Sequence, residues 1–176
     1  MRGLFLCAFK QRHPNYDIDY NDIKKLDGIN IVGNALIINL NKYDYLLATP
    51  PCNYWSKCNY RRNVSEYALK TKNLLPDILI KFAKSGKPFL IENVRNAPLF
   101  QKEGIFEICS KYGIYVQFVG RHTYFSNIEV DLNCPQVYDF NHKDKGYTIR
   151  LHSNSQGGSN TFNCFEIWLK EVIKND

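Results

Sequence analysis

Tyr43-Asp44-Tyr45-Leu46-Leu47-Ala48-Thr49-Pro50-Pro51-Cys52 is an apolar run halted by two prolines, and Pro88-Phe89-Leu90-Ile91-Glu92-Asn93-Val94 is a second apolar run further along the chain. Both have the length and bulk of buried strands. Proline offers no N–H to a strand ladder, so the first strand is expected over residues 43–48. Between the two runs, Leu75, Ile78, Leu79 and Phe82 recur at helical spacing, with Ser65 a suitable N-cap and Ser85-Gly86 a suitable stop. Pro76 is expected to kink this helix or restart it. Strand, helix and strand in this order make a βαβ unit, which requires a parallel pair and a right-handed crossover.

Outward from that unit, residues 29–32 and 35–40 read as short strands around Gly33. Residues 4–9 are apolar and fit either a first strand or a helix start. On the other side, 105–112 reads as a helix and 114–119 as a strand, with 124–130 pairing to it beyond a Gly120-Arg121-His122 turn. Residues 131–163 are polar and read as a loop or insertion that includes Ser153-Asn154-Ser155-Gln156-Gly157-Gly158-Ser159-Asn160. Phe162, Phe165, Ile167, Trp168 and Leu169 mark a closing helix. The expected fold is α/β with a mostly parallel sheet, a single domain over residues 1–176.

A chain of 176 residues suits one packed core, and 44% hydrophobic with 23% charged residues is ordinary globular usage. No apolar stretch reaches the roughly 18–20 residues that span a bilayer, and residues 1–9 lack a signal-peptide pattern, so a cytoplasmic protein is expected. The six cysteines contain no CxxC pair, so neither a metal site nor a disulfide framework is expected. Net charge is +6, and Lys57, Arg61, Arg62, Lys70 and Lys72 gather just after Cys52. They fit phosphate contacts to a nucleic acid, or a solvated helix face.

Ligands of open parallel sheets bind at the carboxyl ends of strands, so Cys52 and Glu92 would meet in one crevice if their strands are neighbours. A thiolate is a strong nucleophile, and an acid in a dry site can stay protonated, a combination suited to attack on an electron-poor ring. The alternative is a structural cysteine beside a glutamate paired to Arg95.

Thr49-Pro50-Pro51-Cys52-Asn53-Tyr54-Trp55-Ser56 resembles the Pro-Cys nucleophile motif of DNA cytosine-5 methyltransferases, and Ile91-Glu92-Asn93-Val94-Arg95 resembles their Glu-Asn-Val motif. Gly120-Arg121-His122-Thr123-Tyr124-Phe125-Ser126-Asn127 is similar to a later arginine-bearing motif of phage-type relatives. The resemblance implies a reduced, Rossmann-like sheet of the methyltransferase type. It implies that Cys52 attacks C6 of a flipped cytosine, Glu92 bonds the ring at N3, and C5 takes a methyl group from S-adenosylmethionine, with Arg121 near the base. It further implies Asp19, Asn34 and Pro50 on the cofactor side, and Ser56, Lys57, Arg61, Arg62 and Arg95 against DNA. Residues 53–63 are expected to be a mobile loop in which Tyr54 and Trp55 close over the base.

The family's Phe-x-Gly-x-Gly loop after the first strand is missing, as is a target-recognition domain of the usual size. Three readings follow. The chain is a minimal or split enzyme with a protein partner supplying the missing motifs; a silent relative that binds DNA or a host defence protein, as an anti-restriction factor would; or a relative acting on a free nucleotide.

Overall fold

The computed structural model describes residues 1–132 and 155–174. The chain divides into two compact units, Met1–Glu129 and Val130–Asp176. The first carries seven strands: β1 (Gly3–Leu6), β2 (Ile18–Asp22), β3 (Ile31–Val32), β4 (Tyr45–Ala48), β5 (Phe89–Val94), β6 (Tyr115–Val119) and β7 (His122–Ser126). They form one sheet in the order β3-β2-β1-β4-β5-β7-β6. Strands β1 to β5 pair in parallel, whereas β7 runs antiparallel to both β5 and β6. The expected mostly parallel α/β architecture is therefore present, and of residues 4–9 the first three are strand while 7–9 turn away from it.

The βαβ unit forms as its pattern predicts, with two helices in the crossover: α1 (Glu66–Thr71) and α2 (Leu74–Ser85). Ser65 caps α1 by accepting the Ala68 N–H (3.4 Å). Pro76 falls in the first turn of α2, where no N–H is needed, so it restarts the helix rather than kinking it. Gly86 ends α2 in the left-handed region (φ 69°), a conformation that costs glycine little. The buried stripe Leu75, Ile78, Leu79 and Phe82 packs with Leu4, Leu6, Leu46, Ala48, Phe89, Ile91 and Phe125 into one apolar core. Helices α3 (Ala97–Lys102) and α4 (Ile105–Tyr112) add Phe100, Ile105 and Cys109 to that core.

Two expectations need correction, and one helix was not expected. Residues 35–40 are not a strand: Ala35–Ile37 is a 3-10 turn, because the Asn34 side chain accepts the Leu36 N–H (2.9 Å) and caps it. Helix α3 carried no apolar period long enough to be read. The β6–β7 turn has only two residues, Gly120 (φ 58°) and Arg121, so β7 starts at His122 rather than at Tyr124.

The other connections carry little helix. Residues 7–17 join β1 to β2 with none, and β2 reaches β3 without one. The ring of buried His13 stacks on Phe5 (centroids 5.9 Å), and the His13 backbone N–H donates to the Tyr20 hydroxyl (2.7 Å), so a loop side chain covers the sheet there. Gly3 lies so close to the Tyr45 ring that a Cβ would overlap it.

In the second unit, α5 (Ser155–Lys174) begins inside the run read as loop. Its buried Phe165, Trp168, Leu169 and Val172 recur at helical spacing, and the Cys164 thiol faces the Leu132 carbonyl (3.7 Å). The rest of the segment expected to be a polar loop, residues 133–154, lies outside the described residues. Among the described residues no helix is long and apolar enough to cross a membrane.

Candidate active site at the carboxyl edge

The exit of β4 is fixed before the chemistry begins. Thr49 donates its N–H to the Leu6 carbonyl (3.1 Å) and its hydroxyl to the Cys7 carbonyl (2.7 Å), which ties it to the end of β1. The Pro50 carbonyl accepts the Asn93 side-chain amide (3.0 Å), joining this segment to the end of β5. Pro50 is itself buried, so its place is in the support of the turn. The Ser56 N–H then donates to the Cys52 carbonyl (2.8 Å), closing a tight turn that leaves Cys52 open to solvent.

Strands β4 and β5 are neighbours, with Ala48 opposite Ile91, so Glu92 comes to the same edge as Cys52. Desolvation by surrounding protein, with the charge of Glu92 added, raises the Cys52 thiol to about 11. Solvent access and desolvation coexist when a group lies on the floor of an open crevice.

Glu92 does not pair with Arg95. Its Oε1 lies 2.6 Å from Nδ1 of His122, one strand away on β7, and both side chains are largely buried. Burial alone would lower the pKa of His122, but the hydrogen bond and charge of Glu92 outweigh it and raise the value above 6.5. The other ring nitrogen of His122 is buried without a protein partner. No sequence signal singled out His122, because its contact depends on the β5–β7 register. Arg95 instead reaches the Gly120 carbonyl (3.3 Å) and lies over the Phe118 ring (5.0 Å). Arg121 sits in the adjoining turn, where its charge acts on His122.

Tyr54 and Trp55 do not close over a base; both are core residues. The Tyr54 hydroxyl donates to Glu103 (2.8 Å), and Trp55 packs against Phe100 (5.3 Å) while its carbonyl accepts from Asn96 (2.8 Å). Beyond them the chain is a series of bonded turns. Arg62 donates to the carbonyls of Ser56 (2.8 Å) and Asn59 (3.2 Å), and Asn59 to that of Asn53 (2.7 Å). Lys72 pairs with Glu103 (2.6 Å). Arg62 and Lys72 thus serve the scaffold, while the side chains of Lys57 and Arg61 remain exposed beside Cys52. Tyr67 on α1, which sequence reading passed over, has its phenol within electrostatic reach of Asp22, Cys7 and Cys52.

Residues 6–114 match the C-5 cytosine-specific DNA methylase family. The chain belongs to that family. Its sheet is accordingly the Rossmann-like sheet of the methyltransferase type. A Type II methyltransferase, M1.HgaI of Avibacterium volantium, is 34% identical over 88 residues, which are 49% of this chain and 24% of that enzyme. The chain thus spans about a quarter of the length of this relative.

Members of the family use S-adenosylmethionine, and the residues expected to hold it here do not fit the task. Asp19 lies near the start of β2, away from the carboxyl edge, and accepts from Arg2 (3.0 Å), Asn30 (2.7 Å) and Tyr43 (2.8 Å). It is a structural carboxylate. The acid that ends β2 is Asp22, three residues on, and both its oxygens accept backbone N–H groups, from Phe9 (3.1 Å) and Lys24 (3.0 Å). Asn34 is at the right edge, with its oxygen engaged in the 3-10 cap.

Proposed function

We propose that the crevice at Cys52 receives a cytosine extruded from DNA, and that Cys52 adds to it reversibly. The observation that supports this most is the convergence of Cys52 and Glu92 at the exits of adjacent parallel strands, in a chain of the cytosine-5 methylase family. Exposed Lys57, Arg61 and Arg95 border the site and supply phosphate contacts. On this reading the chain serves the DNA-directed side of the chemistry that Type II methyltransferases perform.

In the addition, the Cys52 thiol gives its proton to water and Sγ bonds to C6. The C5–C6 double-bond electrons move to C5, which takes a proton from water. Elimination reverses the step: C5 loses a proton and the thiolate leaves C6. For this step Glu92 must take up a proton, so that its free carboxyl oxygen donates an O–H to N3 while Oε1 stays on His122 Nδ1 (2.6 Å). Desolvation and the charge of Glu92 hold the Cys52 thiol above its ordinary range, so the addition is slow near neutral pH and quickens as pH rises.

DNA labelled with tritium at cytosine C5 should release label to water with purified protein and no added cofactor. Cys52→Ser should abolish release, because a hydroxyl is a far weaker nucleophile. DNA binding without any release would replace this reading by a silent DNA-binding relative, and the absence of both would sink the DNA reading.

A further inference from the structure

At the edge where a nucleoside ligand would lie, the protein has bonded to itself. In sheets of this kind, backbone N–H groups after the first strand and a carboxylate ending the second meet the ligand. Here those partners hold each other, since the Phe9 N–H donates to Asp22 Oδ2 (3.1 Å) and the Ala8 N–H to the Asn21 carbonyl (2.9 Å). No helix begins after β1, so no helix terminus offers free N–H groups. Cys7 (φ 54°) and Phe9 (φ 46°) put side chains in left-handed backbone, where glycines would let a ligand approach closely.

Arg12 holds this arrangement in place. Its guanidinium donates to the carbonyls of Phe9 (3.0 Å) and Gln11 (2.5 Å), and to that of Asp27 in the β2–β3 connection. It also lies over the Tyr20 ring (4.9 Å). Gly28 passes so close beneath it that a Cβ would strike the guanidinium.

We infer that this chain is closed to S-adenosylmethionine by its own β1–β2 segment, with Phe9 and Asp22 satisfying each other and Arg12 stapling the segment to the β2–β3 connection. Family membership supplies the identity of the excluded ligand, and the cytosine reading does not depend on the closure.

The full chain is titrated by calorimetry with S-adenosylmethionine and with its demethylated product, up to millimolar, alone and with duplex DNA. No saturable heat is expected in either setting, and the ligands should leave the unfolding temperature unchanged. Saturable binding at micromolar ligand in either setting overturns the inference. Without ligand, the Phe9 amide should exchange as slowly as those of β1, and free-peptide exchange at Phe9 also overturns it. Arg12→Ala should speed Phe9 exchange at least about tenfold, and unchanged exchange in the folded variant refutes the staple. Tritium release is read on the same samples. Release together with donor binding defeats the closure alone, and neither release nor donor binding defeats the cytosine reading alone.

Discussion

Between β4 and β5 the chain inserts two helices, and between β1 and β2 it inserts none, although both connections join neighbouring parallel strands. The β4–β7 half rests on an apolar core in which α2, α3 and α4 cover the sheet. The β1–β3 half carries in addition a set of polar contacts: Asp19 at one edge with Arg2, Asn30 and Tyr43, Asp22 at the other with two backbone amides, and Arg12 between connections. The half that carries Cys52, Glu92 and His122 has thus kept the packing that fixes side chains to within a hydrogen bond. The β1–β3 half shares that core through Leu4 and Leu6 and adds self-satisfied polar groups at both edges. The two halves still share a seam, since Thr49 at the exit of β4 donates to the Leu6 and Cys7 carbonyls at the exit of β1.

That contrast can be broken by substitution. Phe82→Ala, in the middle of the apolar core, should cost about 3–5 kcal/mol in denaturant unfolding, with no special dependence on pH. A loss below about 1 kcal/mol would show that the helical half is not the stabilising one. Asp19→Ala should cost about 2 kcal/mol, since it strands the buried Tyr43 hydroxyl and removes the Arg2 pair. Burial would raise the pKa of Asp19, but its bonds to Tyr43, Arg2 and Asn30 together lower it below 3.8. Its contribution is therefore present above pH 3.8 and lost as pH falls through the folded value, a slope that Asp19→Ala should flatten.

The Glu92–His122 pair titrates in the opposite sense. Its stabilisation is complete below pH 6.5 and fades as pH rises through the raised folded value. His122→Ala should remove that alkaline slope at a cost of about 1 kcal/mol, followed by unfolding at several pH values. The smallest effect is expected at Phe9→Gly, which relieves left-handed backbone worth about 1–2 kcal/mol against a glycine entropy cost of about 0.5–1 kcal/mol. A small net gain in stability is expected, and a clear loss would mean that the exposed Phe9 ring packs on something that matters.

Legibility in the sequence followed the same division. The β4–α2–β5 unit could be read because Leu75, Ile78, Leu79 and Phe82 declare a period and Pro50-Pro51 and Gly86 declare ends. Cys52 and Glu92 were visible for the same reason, as residues at the ends of recognisable elements. Nothing in Ile18-Asp19-Tyr20-Asn21-Asp22 marks which acid leaves the strand, so the structural place of Asp19 is not legible there. Tyr54 and Trp55 were misread because their partners, Glu103 and Phe100, come from α3 and its end, far along the chain. His122 was missed because a reversed strand brings it to Glu92, and strand partners leave no local period.

That reversed strand makes the site a proofreader of its own folding. Glu92 stands opposite Tyr124, and His122, opposite Val94, projects from the same face two residues away. Because side chains alternate along a strand, sliding β7 by one residue would turn His122 away and bring Thr123 into its place, leaving the carboxylate without its imidazole. The same slip would take Phe125 out of the apolar core, so the polar partner and the apolar partner reject the same error. The pair therefore depends on the register of β7 against β5, which neighbours along the chain do not set.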